Sequence, residues 1–139
     1  MEKQRILRYR EKFDFVQEKI QYFNIKPEKK LEKWGLFYAV QTSIESIYDL
    51  IAMLVKDIGL QVKDDENNVN ALINERNLDP EIGKQLKDAK GMRNVIVHQY
   101  NGVNEQIVLE SLPTLKSLIK TWLNEIEVIL NEIGVKNQD

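Results

Sequence analysis

Apolar residues recur along this chain at helical spacing almost throughout. From Arg5 to Asn24 they fall at Ile6, Tyr9, Phe13, Val16, Ile20 and Phe23, spaced 3-4-3-4-3, which is one stripe of an amphipathic helix. Pro27 closes that element and pre-sets the start of the next, from about Glu28 to Ile58. There Leu36, Val40, Ile44, Ile47, Ile51, Leu54 and Ile58 form the stripe, widened by Phe37, Tyr48, Ala52 and Val55. A face so wide predicts a helix at the centre of a bundle, or one covered by a second subunit. Gly59 is placed as its C-terminal cap.

A polar turn over 63–68 precedes a short helix around Val69 to Arg76. Asp79-Pro80 then reads as an N-cap followed by a first-turn proline, opening a fourth helix from Pro80 towards Val97. The last helix, from about Gln106 to Ile133, carries Leu112, Leu115, Ile119, Trp122, Ile126, Ile129 and Ile133 at 3-4-3-4-3-4. Pro113 argues that it starts nearer Ser111. No stretch alternates as a strand, so the pattern predicts an all-α bundle of four main helices and one short one, spanning residues 1–139 as a single domain. Trp34 and Trp122 read as packing residues.

Composition narrows the chemistry. With 42% hydrophobic and 30% charged residues the chain has the balance of a soluble globular protein. It contains no cysteine, which removes thiolate nucleophiles and cysteine-based zinc sites and fits a reducing cytosol. No apolar run approaches the roughly 20 residues needed to cross a bilayer, and charges interrupt any N-terminal signal-like segment. The net charge of −2 divides unevenly: residues 1–33 hold ten basic and six acidic side chains, the remainder ten and 16. A basic first third would attract a polyanion, although alternating Lys, Arg and Glu on a helix more often make a solvated face. The glycines are isolated, so no phosphate-cradling loop is present, and no cluster has metal-ligand spacing.

The candidate chemistry lies in Arg93-Asn94-Val95-Ile96-Val97-His98-Gln99-Tyr100, just before Asn101-Gly102. It holds the only histidine. The helical stripe Ile82, Leu86, Ala89, Arg93, Ile96, Tyr100 puts a guanidinium in a core-facing slot, where it must find an anion or a carbonyl cluster, or face a groove between subunits. At about 100° per residue, Tyr100 lies about 20° from Arg93 but His98 about 140° away. The last turn therefore unwinds before Asn101-Gly102, or the groups converge with those of a second chain. Plainer roles exist for each residue. His98 would complement the helix dipole, Arg93 would pair with Glu45 or Asp49, and Tyr100 would pack as a core or interface aromatic. Against the Arg93 pairing, the stripe Tyr38, Thr42, Glu45, Asp49 reads as solvent-facing.

Arg-x4-His-x-Tyr over Arg93, His98 and Tyr100 resembles the signature of the HEPN superfamily, in particular its HepT-like group. The likeness extends through Gln41-x-x-Ile44-Glu45-x-x-x-Asp49-Leu50, Gly59-Leu60 and Gly91-Met92-Arg93-Asn94. It implies a HEPN-type bundle and a metal-independent endoribonuclease that needs no cofactor and serves as the toxin of a toxin–antitoxin pair. It further implies a homodimer that cuts RNA in a composite cleft, with Arg93, His98 and Asn94 as catalytic residues. The implied partner is a minimal nucleotidyltransferase antitoxin, which would add AMP to Tyr100. The roles suit the residues: Arg93 would clamp a phosphate bidentately, His98, with an ordinary pKa of about 6.5, would serve as general base or acid, and Asn94 would bind the phosphate or orient His98. With one histidine per chain, a histidine acid and a histidine base must come from two subunits. Two other readings remain at this point: a non-catalytic module that binds a nucleotide or docks the nucleotidyltransferase, and a purely structural interaction protein.

Overall fold

A computed structural model describes residues 1–97 and 105–138, with side chains described to Gly134. It is all-α among the described residues: α1 Lys3–Ile20, a 3-10 turn Gln21–Asn24, α2 Lys30–Asp57, α3 Asp65–Arg76, α4 Pro80–Val97 and α5 Glu105–Gln138. Four main helices and the short α3 form the expected HEPN-type bundle.

The wide face of α2 is explained by its place in that bundle. It touches α1, α3, α4, α5 and the 3-10 turn, so a buried residue recurs on nearly every side of its second half, including Ile47, Tyr48, Leu50, Ile51, Leu54 and Val55. Neighbouring helices of the same chain therefore account for the breadth of this face. The stripe of α1 packs against it through Tyr9, Phe13, Val16 and Ile20, all buried. Ion pairs lock α1 to its neighbours: Arg5 Nε lies 2.9 Å from Asp57, Arg10 is bidentate to Glu127 at 2.6 and 2.8 Å, and Lys12 reaches Asp49 at 3.5 Å. Much of α1's positive charge is thus spent inside the bundle.

Capping sets the boundaries. Helix α2 ends at Gly59, whose φ of 91° is open to glycine at no steric cost; Gly59 N–H donates to Lys56 O and Leu60 N–H to Val55 O, a Schellman closure. Asp64 caps α3 by accepting from Asn67 N–H at 2.9 Å, so α3 begins four residues before the expected Val69. Asp79 caps α4 as expected, accepting from Glu81 N–H at 3.0 Å with Pro80 in the first turn.

Two expectations need correction. Pro113 lies inside α5, which starts at Glu105 and not near Ser111. Val108, Leu112 and Leu115 bury the same face on both sides of the proline, and that packing outweighs one lost backbone bond. Trp34 is not a packing residue: it is 54% exposed, whereas Trp122 is fully buried and donates Nε1–H to Ile82 O at 3.1 Å.

Candidate active site on α4

Helix α4 carries the candidate residues, and its first half is anchored to three other helices. Trp122 holds the Ile82 carbonyl from α5, and Tyr48 on α2 donates its hydroxyl to Leu86 O at 2.9 Å. Burial holds the Tyr48 phenol pKa above its ordinary value, with Asp65 and Glu66 adding to the rise and Arg93 opposing it. The phenol therefore remains a donor. On the α3 side Lys87 pairs with Glu66 at 2.9 Å and Lys90 with Asp65 at 3.0 Å, Lys90 also lying 5.5 Å from the Tyr48 ring centroid. Leu86, Ala89 and Ile96 are buried along the predicted stripe.

Arg93 continues that stripe, and it meets α2. Its side chain is 24% exposed, with Nη1 3.8 Å from Glu45 Oε1. That separation brings the charges together without a hydrogen bond. Glu45 itself accepts from Gln41 Nε2 at 3.2 Å, an i, i+4 pair on α2. Nε of Arg93 is buried and has no hydrogen-bond partner among the described residues. Of the two carboxylates weighed for Arg93, the structure selects Glu45, while Asp49 faces Lys12. The solvent-facing reading of the α2 stripe holds for Tyr38, 58% exposed, and Asp49, whose side chain is 62% exposed; Glu45 is part-buried beside Arg93.

Asn94 is exposed, about 100° round the helix from Arg93. It does not share the Arg93–Glu45 contact. His98 and Tyr100, with the Asn101-Gly102 exit, lie outside the described residues. Glu105, the first residue of α5, pairs with Lys33 of α2 at 2.8 Å. Among the described residues no group of three or more histidine or acidic side chains is placed to hold a metal ion.

The arrangement is a cation placed at a protein surface on a rigid support. A guanidinium with a fixed fork, one loosely engaged carboxylate and a buried donor without a partner among the described residues suits a phosphodiester, which accepts two parallel hydrogen bonds from such a fork. The profile of the family described as Ribonuclease HepT-like matches residues 6–126. The chain belongs to the HepT-like ribonuclease family. A relative from Archaeoglobus fulgidus named "Putative RNase" is 38% identical over 126 residues, covering 91% of this chain and 96% of that protein. A second from the same organism, with the same name, is 33% identical over 112 residues, or 80% and 85% of the two chains. A third, from Methanocaldococcus jannaschii, is 39% identical over 75 residues, or 53% of this chain and 85% of that protein. No solved structure matches significantly.

The Gln41–Glu45 pair as a support for Arg93 escaped the sequence reading, although its i, i+4 spacing was visible. So did the link from Tyr48 to Leu86, which no spacing rule announces because it joins side chain to backbone across helices.

Proposed function

We propose that this protein is a metal-independent endoribonuclease acting in the cytoplasm as the toxin of a toxin–antitoxin pair, and that residues 1–139 work as one HEPN-type domain. The observation that carries this reading is Arg93, held half-buried on a rigid helix with a buried donor that no described residue satisfies. Two copies of the chain pair so that their Arg93 to Tyr100 segments face one another. The exposed apolar side chains Val95 and Ile107, on the helices that flank residues 98–104, support a partner copy there.

In the composite cleft Arg93 binds the scissile phosphate and lowers the cost of charge that grows on its oxygens. His98 of one copy takes the proton of the RNA 2′-hydroxyl, whose oxygen attacks phosphorus. The bond from phosphorus to the 5′-oxygen breaks, and the leaving oxygen takes a proton from His98 of the other copy. The products are a 2′,3′-cyclic phosphate and a 5′-hydroxyl. Asn94 supports the phosphate or the histidine. A minimal nucleotidyltransferase antitoxin controls the enzyme by attaching AMP to Tyr100, where the added bulk and charge block the cleft.

Labelled single-stranded RNA incubated in EDTA with wild type and with His98→Ala, at matched folding and oligomeric state, tests the proposal. Cleavage by wild type alone, with a 2′,3′-cyclic phosphate end, is the expected result. Absence of cleavage by a folded, dimeric wild type overturns it in favour of a non-catalytic binding module.

A further inference from the structure

Away from Arg93, the turn after α1 and the start of α2 leave several aromatic side chains exposed. A groove of about 390 Å³ is lined by Lys19, Tyr22, Ile25, Glu32, Gly35 and Tyr38 among others. Tyr22, Trp34 and Tyr38 are 42%, 54% and 58% exposed, an unusual outlay of aromatic surface for so short a stretch. Gly35 keeps the floor open, since a Cβ added there would meet nothing within 4 Å.

Lysines lie close to these rings along the chain. Lys26 and Lys29 have no ion-pair partner among the described residues, and Lys30 rests over the Trp34 ring, 5.2 Å from its centroid. Lys33 and Lys19 add charge while pairing with Glu105 and Glu18. Only Glu28 and Glu32 oppose them between residues 19 and 34. The positive excess of the chain's first third, neutralised along much of α1 by inter-helix pairs, is therefore available here.

The surface also leads to the candidate site. On α2 the positions Trp34, Tyr38, Gln41 and Glu45 fall within about 60° of one another and span about 16 Å of helix, ending at the carboxylate beside Arg93. We infer that this face is a stacking platform for single-stranded RNA, on which bases lie against Trp34 and Tyr38 while Lys26, Lys29 and Lys30 take the backbone phosphates. Exposed aromatics interleaved with lysines are what an unpaired strand requires, because every base has a stacking face and every nucleotide a charge. A second copy of the chain suits the face poorly: a twofold interface sets a patch against itself, so the lysines of one copy would meet those of the other. The proposal rests on the ribonuclease reading for its ligand class, and it places substrate contacts well outside the Arg93 to Tyr100 segment.

Binding of a short, fluorescently labelled 2′-O-methyl RNA, which has no free 2′-hydroxyl and cannot be cut, separates the two ideas. Anisotropy titrations should show at least about tenfold weaker binding for Trp34→Ala/Tyr38→Ala than for wild type. Gln at Lys26, Lys29 and Lys30 should flatten the salt dependence. Emission from exposed Trp34 should be quenched by the strand, an effect absent in Trp34→Ala. Unchanged affinity in the aromatic variant overturns the platform, as does a loss of affinity that sedimentation traces to dissociation of an oligomer. A protein that binds through Trp34 yet cuts no RNA leaves the platform standing while the ribonuclease reading fails. One that cuts but binds equally well without Trp34 and Tyr38 loses the platform alone.

Discussion

Near residues 5–9 and 57 the buried polar groups are paired across helices, whereas among the described residues Arg93 Nε has no partner. Tyr9 is fully buried, and its hydroxyl donates to Asp57, which also takes Arg5 Nε at 2.9 Å. Each partner there has a counterpart from another helix. Arg93 also sits on a core-facing stripe, but its nearest carboxylate is 3.8 Å away and its Nε has no partner among the described residues. A buried polar network that is fully paired holds helices in register, and removing one member strands the others. A buried donor left unpaired costs about 1–3 kcal/mol. On an otherwise consistent helix, a donor without a partner among the described residues is a departure from the folding rules, and such departures gather where function is expected. The two regions should therefore respond in opposite ways to mutation.

The largest separation is expected at the motif. His98→Ala should lower RNA cleavage by about 10²–10⁴-fold, the usual contribution of a positioned acid or base, and Arg93→Ala by about 10²–10³-fold. Both should melt within a few degrees of wild type, and gel assays in EDTA beside thermal melts would read the two quantities together. A loss of activity that simply follows a loss of folding would erase the contrast.

Asp57→Ala should do the reverse. It strands the Tyr9 hydroxyl and the Arg5 guanidinium, at a cost of about 2–3 kcal/mol in urea unfolding, while cleavage at matched folded fraction stays at the wild-type rate. Tyr9→Phe is a milder version, losing about 1–2 kcal/mol because Arg5 still holds Asp57.

The same pair of proteins sharpens the comparison through pH. Burial, and then the hydrogen bond to Asp57, raise the Tyr9 pKa well above its ordinary value of 10. The folded state therefore keeps a proton that the unfolded state releases above pH 10. Stability from this group is complete below that pH and declines as pH rises beyond it. Wild type should lose stability to alkali more steeply than Tyr9→Phe, and parallel urea midpoints from pH 9 to 11 would show whether it does. Equal slopes would mean that the hydroxyl is not held as tightly as its burial implies.

The smallest effect is expected from Glu45→Gln. The carboxylate touches Arg93 without a hydrogen bond, so its loss should change cleavage by less than tenfold, with a change in KM exceeding that in kcat. A collapse of activity equal to that of Arg93→Ala would show that Glu45 positions the guanidinium in the reactive state.

Helical periodicity determined the fold class, the order of the helices and the span of α4, because the stripes of α1, α2, α4 and α5 are long and each buries the face that its spacing announces. Gly59 and Asp79 declared their caps through residue type alone. The motif that carries the family likeness was also legible, since Arg93, His98 and Tyr100 are read by spacing and identity. Pro113 inside α5 was not, because whether a proline ends a helix depends on packing from both flanks. Nor was the exposure of Trp34, since a large aromatic beside a wide apolar stripe looks the same in sequence whether or not a neighbour reaches it. Only the tertiary structure decided that Arg93 faces Glu45 and not Asp49. Those carboxylates stand four residues apart on one helix, and the choice between them depends on how α4 crosses α2, which no local pattern encodes.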